Sequence, residues 1–455
     1  MVLSAVDRYD PKGIGTIGDR AVVLGGSMAG LCAARVLADA FRDVVVIERD
    51  ELPDEPAARD GAPQTGHPHA LLEPGRATLE DLFSGFGDDL LAEGGLLIDA
   101  LSDIKWYAEG GFVADGSERS PMYAASRPLY EHVVRQHVRT IDVIKLRDGC
   151  RFFEYLTDDE ATAVTGVTYR DADGEEREIN ADLVVDATGR TSRTPNWLDD
   201  HGYETPPVDE VRIDVTYSTA RVERPAGDRR LFFVPPTPPR TRGVYMIPIE
   251  NGQWEVLLQT VHGGETPTDR EGVIEFLETL PVSEPESLVR SAAWRSETVH
   301  RYPFPSNRRR RYEALDAFPE GLVVTGDAIA SFNPIYGQGM SVAALDAVIL
   351  HHALADRGLD DLADRFFDEV SDVVDVVWQI SVGSDFGFAE TTGPKPIGTD
   401  LTNRYLSRLV RKGHADPVLR TEVGRVLILA QSPSTLFRPS VLWRAIRPSW
   451  RSQMG

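Results

Sequence analysis

Near the start of the chain, short hydrophobic runs flank a segment in which apolar residues recur at helical spacing. The first run, 21–24, ends in two glycines, helical spacing extends from Met28 to Ala40, and the second run, 44–47, ends at Glu48. Short apolar runs bounded by turns are typical of buried parallel strands, and the helix between them completes a β-α-β unit. Its right-handed crossover places the glycine turn at the carboxyl edge of the sheet.

Farther along, the hydrophobic pattern changes its period. Alternating segments fill much of 206–295, which indicates antiparallel strands with one buried face, and helical spacing dominates after Gly339. The chain is too long for one core, since cores stop growing near about 300 residues. We therefore expect an α/β fold in which a discontinuous Rossmann domain carries an inserted antiparallel sheet and a helical C-terminal region. The expected boundaries are 17–100, 121–205 and 296–380 for the Rossmann domain, 101–120 and 206–295 for the sheet, and 381–455 for the helices.

The charge balance is strongly acidic, with 72 Asp and Glu against 48 Lys and Arg and a net charge of −24. Such a surface repels phosphate backbones, so we expect no nucleic-acid partner, and it suits a salt-rich, halophile-like cytoplasm. Only two cysteines occur, which excludes a disulfide framework or a Cys-based metal site. The sequence has no apolar stretch of the ~18 residues that a bilayer span requires, and its start lacks the apolar segment of a secretory signal. A cytoplasmic location is therefore expected.

The first glycine turn has the composition of a dinucleotide-binding loop. It reads Gly25-Gly26-Ser27-Met28-Ala29-Gly30, a G-x-G-x-x-G pattern with serine in the middle glycine position. The start of the following helix offers unpaired N–H groups and a partial positive charge to a diphosphate. Glu48 is placed to accept hydrogen bonds from a ribose, and Arg49 lies beside it. The turn and these two side chains are the first candidates for cofactor binding.

Two later segments favour FAD over NAD as the bound dinucleotide. They are Asp186-Ala187-Thr188-Gly189-Arg190, and Gly326-Asp327-Ala328 followed by Pro334 and Gly337-Gln338-Gly339-Met340. Both resemble motifs of the glutathione-reductase-like flavoproteins, which implies a Rossmann FAD domain of that type. The resemblance places Asp327 on the ribose of the FMN half. The other residues that it implies in cofactor binding are Ala187, Gly189, Gly326, Pro334, Gly337, Gly339 and Met340.

Together the three motifs resemble the group A flavoprotein monooxygenases of para-hydroxybenzoate hydroxylase type. The segments most similar to the polyether epoxidases of that group, such as the lasalocid epoxidase, are 64–71, 186–193 and 332–337. This resemblance implies that Arg127 reaches FAD, that His67 and His69 approach the flavin as candidates for oxygen activation, and that NADPH or NADH is the reductant. The segment DATGRTSR departs from the usual D-G-x-x-S-x-x-R, which leaves open how a nicotinamide docks.

The implied reaction uses reduced flavin and O2 to hydroxylate or epoxidise a fairly apolar small molecule. Candidates for the substrate pocket, chosen from their positions on expected strands, are Trp106, Tyr107, Tyr245, Gln259 and His262. No metal site is expected, because no third ligand lies near the two histidines. Three alternatives share the fold: a flavin-dependent prenyl reductase, a flavin-dependent halogenase and a non-catalytic flavin-binding protein. The strand motif at 243–248 lacks both tryptophans of the halogenase pattern and matches the reductase pattern only in part.

The end of the chain reverses the charge of the rest. From Val423 onward there are five arginines and no acid, with Phe437, Trp443 and Trp450 between them. Two interpretations stay open: weak contact with a membrane surface or a partner, and a helix docked on the acidic body. The sequence does not indicate an oligomeric state.

Overall fold

The computed structural model describes residues 6–59 and 61–447. Numbered in chain order, its strands are β1 (Gly18–Leu24), β2 (Phe41–Ile47), β3 (Leu96–Asp99), β4 (Ile104–Ala108), β5 (Gly111–Phe112), β6 (Pro121–Ala124), β7 (Ile144–Arg147), β8 (Arg151–Thr157), β9 (Val164–Arg170), β10 (Glu176–Asn180), β11 (Leu183–Asp186), β12 (Val208–Glu223), β13 (Leu231–Val234), β14 (Arg242–Ile249), β15 (Gln253–Thr260), β16 (His300–Arg310), β17 (Leu322–Val324) and β18 (Ala330–Ser331). Its α-helices are α1 (Met28–Leu37), α2 (Glu73–Leu82), α3 (Phe86–Ala92), α4 (Arg127–Arg139), α5 (Thr194–Asp200), α6 (Arg270–Glu278), α7 (Glu284–Ser291), α8 (Gly339–Arg357), α9 (Leu362–Asp385), α10 (Thr399–Gly413), α11 (Pro417–Leu427) and α12 (Pro439–Ile446).

A parallel sheet positions the glycine turns. Its strand order is β17-β11-β1-β2-β7, and each neighbouring pair is parallel. The valine-rich runs of β1, β2 and β11 are buried in one core with α1, α4, α8 and α9, as parallel strands require. From β1 the chain first adds β2 on one side and later adds β11 on the other. A crevice therefore opens at the carboxyl ends of these strands.

A larger, mainly antiparallel sheet has the order β18-β16-β12-β15-β14-β13-β4-β5, and only the β13–β4 pair is parallel. Helices α6 and α7 cover one face, where they pack against Val222 and Trp254. The opposite face, called here the inner face, contacts the segments 64–71 and 332–337. Smaller sheets are β10-β9-β8 and β3-β6. With the helices at the C-terminal end, this architecture confirms the predicted fold class.

The antiparallel sheet extends beyond the boundary expected at 295. Strand β16 pairs with β12 from Val208–Arg310 to Thr219–His300, so residues 300–310 belong to the sheet. Several buried positions of β16 are polar, among them Asn307 and Arg309, so the strand lacks the hydrophobic alternation that would have revealed it. Helix α9 likewise runs across the boundary expected at 381. The rest of the domain division stays a prediction.

The segment of reversed charge begins inside a helix, because α11 spans the predicted start at Val423. Arg425 pairs with Glu118 of the body, whereas Arg444 lies 2.9 Å from Asp416, the residue that caps α11 within the C-terminal helices. Trp450 and Arg451 lie outside the described residues. Among the helices of 6–59 and 61–447, none is long and apolar enough to cross a membrane.

Candidate functional site

The first glycine turn brings the backbone close to a ligand position. Ser27 is the N-cap of α1, and Gly25 has a φ of 103°, a conformation that favours glycine. The N–H of Gly25 donates to the carbonyl of Ile47 at 2.8 Å, which holds the turn against the end of β2. A Cβ on Gly30 would overlap the carbonyl oxygen of Gly25. The amino end of α1 therefore stays accessible to a diphosphate.

Glu48 lies beneath this turn and is held by the backbone. Its Oε2 accepts a hydrogen bond from the N–H of Gly26 at 2.6 Å, and its Oε1 accepts one from the N–H of Asp50 at 3.0 Å. Arg59, which the sequence interpretation missed, lies 3.4 Å from Glu48. Arg49 instead donates to a neighbouring carbonyl at 2.5 Å, and its side chain is mostly exposed. Glu48 thus belongs to the turn, and Arg49 does not contact it.

Arg127 begins α4 and lies against the first turn. The side chain of Ser126 caps the helix by accepting a hydrogen bond from the N–H of Leu129. The guanidinium of Arg127 donates to Ser27 Oγ at 2.8 Å and to Glu131 at 3.1 Å, and Ser27 Oγ donates to Glu131 at 2.7 Å. Burial raises the pKa of Glu131, but the nearby arginines outweigh burial and hold that pKa below its usual value. Glu131 was also missed, although its i+4 spacing from Arg127 is a usable signal.

The other two motifs meet the first at the same sheet edge. The N–H of Ala187 donates to the carbonyl of Leu24 at 2.9 Å, and a Cβ on Gly25 would lie 2.6 Å from the carbonyl oxygen of Ala187. Gly326 has a φ of 64°, and a Cβ there would lie 2.8 Å from the Cβ of Ala29. The three segments, far apart in the chain, therefore form one wall.

Asp346 fixes the second glycine turn from α8. It accepts hydrogen bonds from the N–H of Gly326 at 3.1 Å and from Thr325 Oγ1 at 3.3 Å. Burial raises the pKa of Asp346 to about 7. The side chain therefore reaches the turn from the middle of a helix, and no local sequence motif predicts this contact.

The groove between these turns is called here the cleft. Asp327 lies inside the cleft, where protein surrounds its side chain but solvent still reaches it. Its side chain makes no hydrogen bond or ion pair with the described residues. Burial raises the pKa of Asp327, and the charges of Arg127 and Arg190 oppose that shift, so both arginines lie near it. A Cβ on Gly339, the first residue of α8, would lie 3.9 Å from Asp327 Oδ1, and Gly189 lies on the other side. A carboxylate that solvent reaches but protein surrounds marks a narrow cleft.

The cleft fits FAD. A bound dinucleotide needs donors for its diphosphate, a carboxylate for sugar hydroxyls and bare backbone where the flat ring approaches. The first glycine turn with Arg127 would supply the donors, and Asp327 would supply an acceptor that no described side chain satisfies. Gly339 leaves the amino end of α8 exposed, with Met340 buried behind it.

His67 and His69 lie between the cleft and the inner face. The Nδ1 atom of His67 is 2.7 Å from Thr219 Oγ1, and Nδ1 of His69 is 2.8 Å from the carbonyl oxygen of His67. Since a carbonyl only accepts, His69 carries its proton on Nδ1. Burial, reinforced by His300, lowers the pKa of His67 to about 4, and burial with the charge of Arg127 lowers the pKa of His69 to about 3. Both imidazoles are therefore neutral at pH 7.

A buried carboxylate holds the segment that follows the second turn. Asp385, the last residue of α9, accepts hydrogen bonds from Asn307 Nδ2 at 2.7 Å, Asn333 Nδ2 at 3.1 Å and Tyr336 Oη at 2.8 Å. Tyr217 of β12 in turn donates to Asn333 Oδ1. Burial raises the pKa of Asp385 to about 6, and its three donors oppose that shift. The network ties α9 and both strands β12 and β16 to one loop.

That loop contacts the segment of His67. Pro334 begins a short 3-10 helix, and Gly337 closes it with a φ of 66°. A Cβ on Gly337 would lie 2.6 Å from the Cβ of Ala70. Side-chain bulk at position 337 is thus excluded, and the segments 64–71 and 332–337 form one continuous floor under the inner face.

The five predicted pocket residues do not share one wall. Tyr245 lies on the inner face, Gln259 is buried on the neighbouring strand, and His262 lies just after that strand with its ring 5.5 Å from Phe388. Trp106 packs instead against the C-terminal helices, beneath the guanidinium of Arg420. Tyr107 points to the opposite face, toward α6 and α7. Tyr245 and Gln259 therefore lie on the inner face, and His262 lies beside it.

An aromatic and aliphatic cluster covers the inner face beside Tyr245. Its buried members are Ile213, Val215, Tyr217, Leu257, Val261, Phe304 and Phe388, and its partly buried members are Tyr245, Tyr302 and Ile335. Tyr302 also lies near Asp327 and Arg190, whose charges act on its pKa. The apolar cluster therefore extends from the sheet to the mouth of the cleft.

One buried acid interrupts this apolar surface. Glu255 accepts hydrogen bonds from Arg221 at 2.6 and 3.0 Å through Oε1, while its Oε2 has no hydrogen-bond partner among the described residues. Burial raises the pKa of Glu255 to about 7. Burial also raises the pKa of Tyr245, and the charge of Glu255 adds to that rise. In the described part of the chain, no group of three His, Cys, Asp or Glu side chains could hold a metal ion.

Comparisons with known proteins agree with this geometry. A family model described as an FAD binding domain matches residues 94–377. Protein Rv3254 of Mycobacterium tuberculosis is 30% identical over 453 residues, which is 96% of this chain and 95% of that protein.

Solved structures share the fold at lower identity. One is PqsL, a probable FAD-dependent monooxygenase from Pseudomonas aeruginosa, at 18% identity and a TM-score of 0.60, with 81% of this chain and 97% of that chain covered. Another is 2-methyl-3-hydroxypyridine-5-carboxylic acid oxygenase, at 20% identity and a TM-score of 0.59, with 91% and 98% covered. The flavin-dependent brominase Bmp2 aligns equally well, at 16% identity and a TM-score of 0.59, with 94% and 97% covered. Because the family model matches more than half of the chain, the protein belongs to the family defined by this FAD-binding domain.

Proposed function

We propose that the protein is an FAD-dependent monooxygenase that inserts one atom of O2 into a fairly apolar small molecule. Substrate, O2, NAD(P)H and one proton give the oxygenated substrate, water and NAD(P)+. The main observation behind this proposal is the position of Asp327, which lies unpaired in a narrow cleft near Tyr302 of the apolar inner face. The proposed dinucleotide site and the apolar cluster of the inner face therefore adjoin.

The residues of the chain bind and orient the cofactor, and the flavin, when bound, supplies electrons to O2. The turn from Gly25 to Gly30 and Arg127 would hold the diphosphate, and Asp327 would hold hydroxyls of the FMN half. Glu48, already fixed by the N–H of Gly26, would accept from the adenosine ribose. The bare amino end of α8 at Gly339 would face the ring.

The inner face supports an apolar substrate. Its side chains beside the cleft are largely aliphatic or aromatic, and Ile335 of the loop under it belongs to the same cluster. Burial of apolar area contributes about 25 cal/mol per Å2, so such a wall favours hydrocarbon over charged substrates. Tyr245 and Gln259 supply polar atoms that would orient the substrate. The neutral imidazoles of His67 and His69 are hydrogen-bond partners rather than cations near the reacting oxygen.

Within this reaction we favour epoxidation or hydroxylation of the polyether-epoxidase type. The segments 64–71, 186–193 and 332–337 carry that resemblance, and contact between Ala70 and Gly337 shows that two of them form one floor. Asp385 would keep this floor in register with the sheet. The protein groups thus position the substrate and exclude water, which is what a flavin monooxygenase requires of them.

The positions of the lysines weigh against a halogenase, which needs a lysine to capture hypohalous acid. The chain has five, at 12, 105, 145, 395 and 412. Lys105 pairs with Asp115, Lys145 with Asp43 and Lys395 with Asp400. Lys12 lies in an exposed N-terminal turn, and Lys412 bonds to the carbonyl of Arg447.

Anaerobic reduction followed by oxygen tests the proposal. NADPH or NADH should bleach the flavin absorbance of the purified protein, and O2 should restore it. With an apolar alkene or phenol as probe and labelled O2, the product should gain one labelled oxygen atom. A product two hydrogens heavier and free of label would instead establish the prenyl reductase. Protein that neither carries nor rebinds FAD would remove every flavin-based function.

A further inference from the structure

The C-terminal helices expose an unusual amount of apolar surface. Half of the large hydrophobic side chains that are exposed among residues 6–59 and 61–447 lie between 397 and 446. They are Ile397, Leu401, Phe437, Trp443 and Ile446. Side chains in such a concentration mark an interaction surface rather than ordinary scattered exposure.

These side chains belong to one packed unit. One side of α10 carries, at intervals of three or four residues, Leu401, Tyr405, Arg408 and Lys412. Along that side, Tyr405 stacks on Phe437 with ring centroids 5.1 Å apart, and Arg408 donates to the carbonyl of Ala445 at 2.8 Å. Helix α12 therefore lies beside α10, with the exposed Phe437 and Leu401 on the same side.

Helix α12 carries apolar residues on both its buried and its exposed side. Val441 and Ala445, one turn apart, are buried against α10 and α11, whereas Trp443 lies on the opposite side and is 60% exposed. Ile446 is 69% exposed, and the guanidinium of Arg447 covers the Trp443 ring. The outer surface of α12 therefore presents an aromatic ring, an aliphatic side chain and an arginine to solvent.

The charge of this unit is opposite to that of the remaining chain. Residues 399–447 contain nine Lys or Arg and three Asp or Glu, within a protein of net charge −24. Arg404, Arg438 and Arg447 are exposed and form no ion pair with the described residues. Since the Debye length at ~0.1 M salt is about 10 Å, a partner touching this surface experiences its local positive charge more than the distant acids.

We propose that this surface, made by α10, α12 and Phe437, docks on an anionic lipid bilayer. Tryptophan and aliphatic side chains enter the interfacial region while arginines bind acidic headgroups, which is the chemistry that the surface presents. A second copy is a poor occupant, because it would bring two positive surfaces together. The same unit packs through α10 and α11 on Trp106 of the sheet, so docking would set the catalytic body directly against the membrane.

Vesicle flotation of the full-length protein with bound FAD tests the proposal. The protein should float with vesicles of phosphatidylcholine and phosphatidylglycerol and should not float with phosphatidylcholine alone. The double variant Trp443→Ser/Ile446→Ser should lower the partition coefficient at least about tenfold, because both side chains lose their apolar insertion. Replacement of Arg438 by glutamine should lower it about fivefold.

A matched control uses exposed apolar residues on other surfaces. The double variant Leu97→Ser/Phe153→Ser removes side chains that are 40% and 45% exposed and should float like the wild type. FAD content and thermal midpoint should be unchanged in every variant, since all the replaced side chains are exposed. Failure of the wild type to float, or equal flotation of the Trp443→Ser/Ile446→Ser variant, overturns the proposal. A wild-type dimer that this variant dissociates also overturns it and assigns the surface to self-association.

Discussion

The two sides of the cleft are built in different ways. On the parallel-sheet side, backbone turns at Gly25 and Gly326 line the proposed FAD site, and each follows directly from a buried strand. On the antiparallel-sheet side, the wall is made of side chains such as Tyr245, Ile335 and Phe388, which come from elements far apart in the chain. The first side is local in sequence and the second is assembled by the tertiary fold.

This difference determines how each side responds to substitution. A turn depends on glycine, either for a left-handed conformation, as at Gly25, or because a Cβ would overlap backbone atoms, as at Gly30, so one added methyl group disrupts it. A wall of side chains loses one contact at a time, and its buried acids change with pH. We therefore expect abrupt effects from added bulk at the turns and graded, pH-dependent effects at the sheet.

The largest effect is expected for Gly30→Ala, which should abolish FAD binding. The new Cβ would overlap the carbonyl oxygen of Gly25, so helix α1 has to move away from the turn. Flavin absorbance of the purified protein measures the loss. Gly383→Ala is the matched control: it lies inside α9 with no atom within 4 Å of the added Cβ, and it should stabilise the fold by up to about 1 kcal/mol. Full FAD content in Gly30→Ala would remove the steric argument.

The next largest effect is expected on the antiparallel-sheet side, in the pH dependence of stability that Glu255 causes. Burial raises its pKa from 4.5 to about 7, so the folded state holds a proton that the unfolded state releases between these values. Stability that is present below pH 4.5 is therefore lost as pH rises through about 7, by up to about 3 kcal/mol. Glu255→Gln, which resembles the protonated acid, should remove this loss.

Denaturant unfolding across that pH range measures the difference between wild type and Glu255→Gln. Glu223→Gln serves as the control, because Glu223 is about half exposed and pairs with the exposed Arg295. Its pH dependence should follow the wild type. Parallel curves for wild type and Glu255→Gln would mean that Glu255 is ionised in the folded protein.

The parallel-sheet side was predictable because its signals are contiguous. Strands β1 and β2, helix α1 and the turn between them follow from apolar runs and glycine spacing, and the structure places them within a few residues of expectation. Strand β16 was not predictable, since its buried positions include Asn307 and Arg309. Their partners, such as Asp385 for Asn307, lie on α9, and no local pattern links the two.

The candidate site divides in the same way. Asp327 was expected from its motif, whereas Asp346 and Asp385 lie in helices whose sequence gives no reason to point an acid inward. Trp106 and Tyr107 were placed correctly on a strand but face opposite sides of the sheet. A local sequence pattern shows that a residue lies on a strand. It does not show which layer the side chain faces, because the elements that pack on each face of the sheet come from distant segments.

A smaller effect is expected for Asp327→Ala, which separates binding from stability. The side chain contacts no described residue by hydrogen bond or ion pair, so unfolding of the FAD-free protein should be nearly unchanged. The FAD dissociation constant should rise about thirtyfold, which corresponds to about 2 kcal/mol for hydrogen bonds to a charged group. Fluorescence titration with FAD measures it. An unchanged constant would show that the carboxylate does not hold the cofactor.

The smallest effect is expected for Asp385→Asn, which perturbs the floor under the inner face without touching the FAD turns. The carboxylate accepts from three donors, so an amide in its place turns an N–H2 group toward Asn333 or Asn307 and shifts the loop between Asn333 and Tyr336. FAD should stay bound, while turnover with substrate should fall about tenfold, because small misplacement of a positioning element costs rate rather than affinity. The flavin spectrum of the bound enzyme should shift, which a purely structural role would not produce. Asp372 is exposed on the same helix, so Asp372→Asn should leave turnover and the flavin spectrum unchanged. If Asp385→Asn gave the same result as Asp372→Asn, helix α9 would have no role in positioning the site.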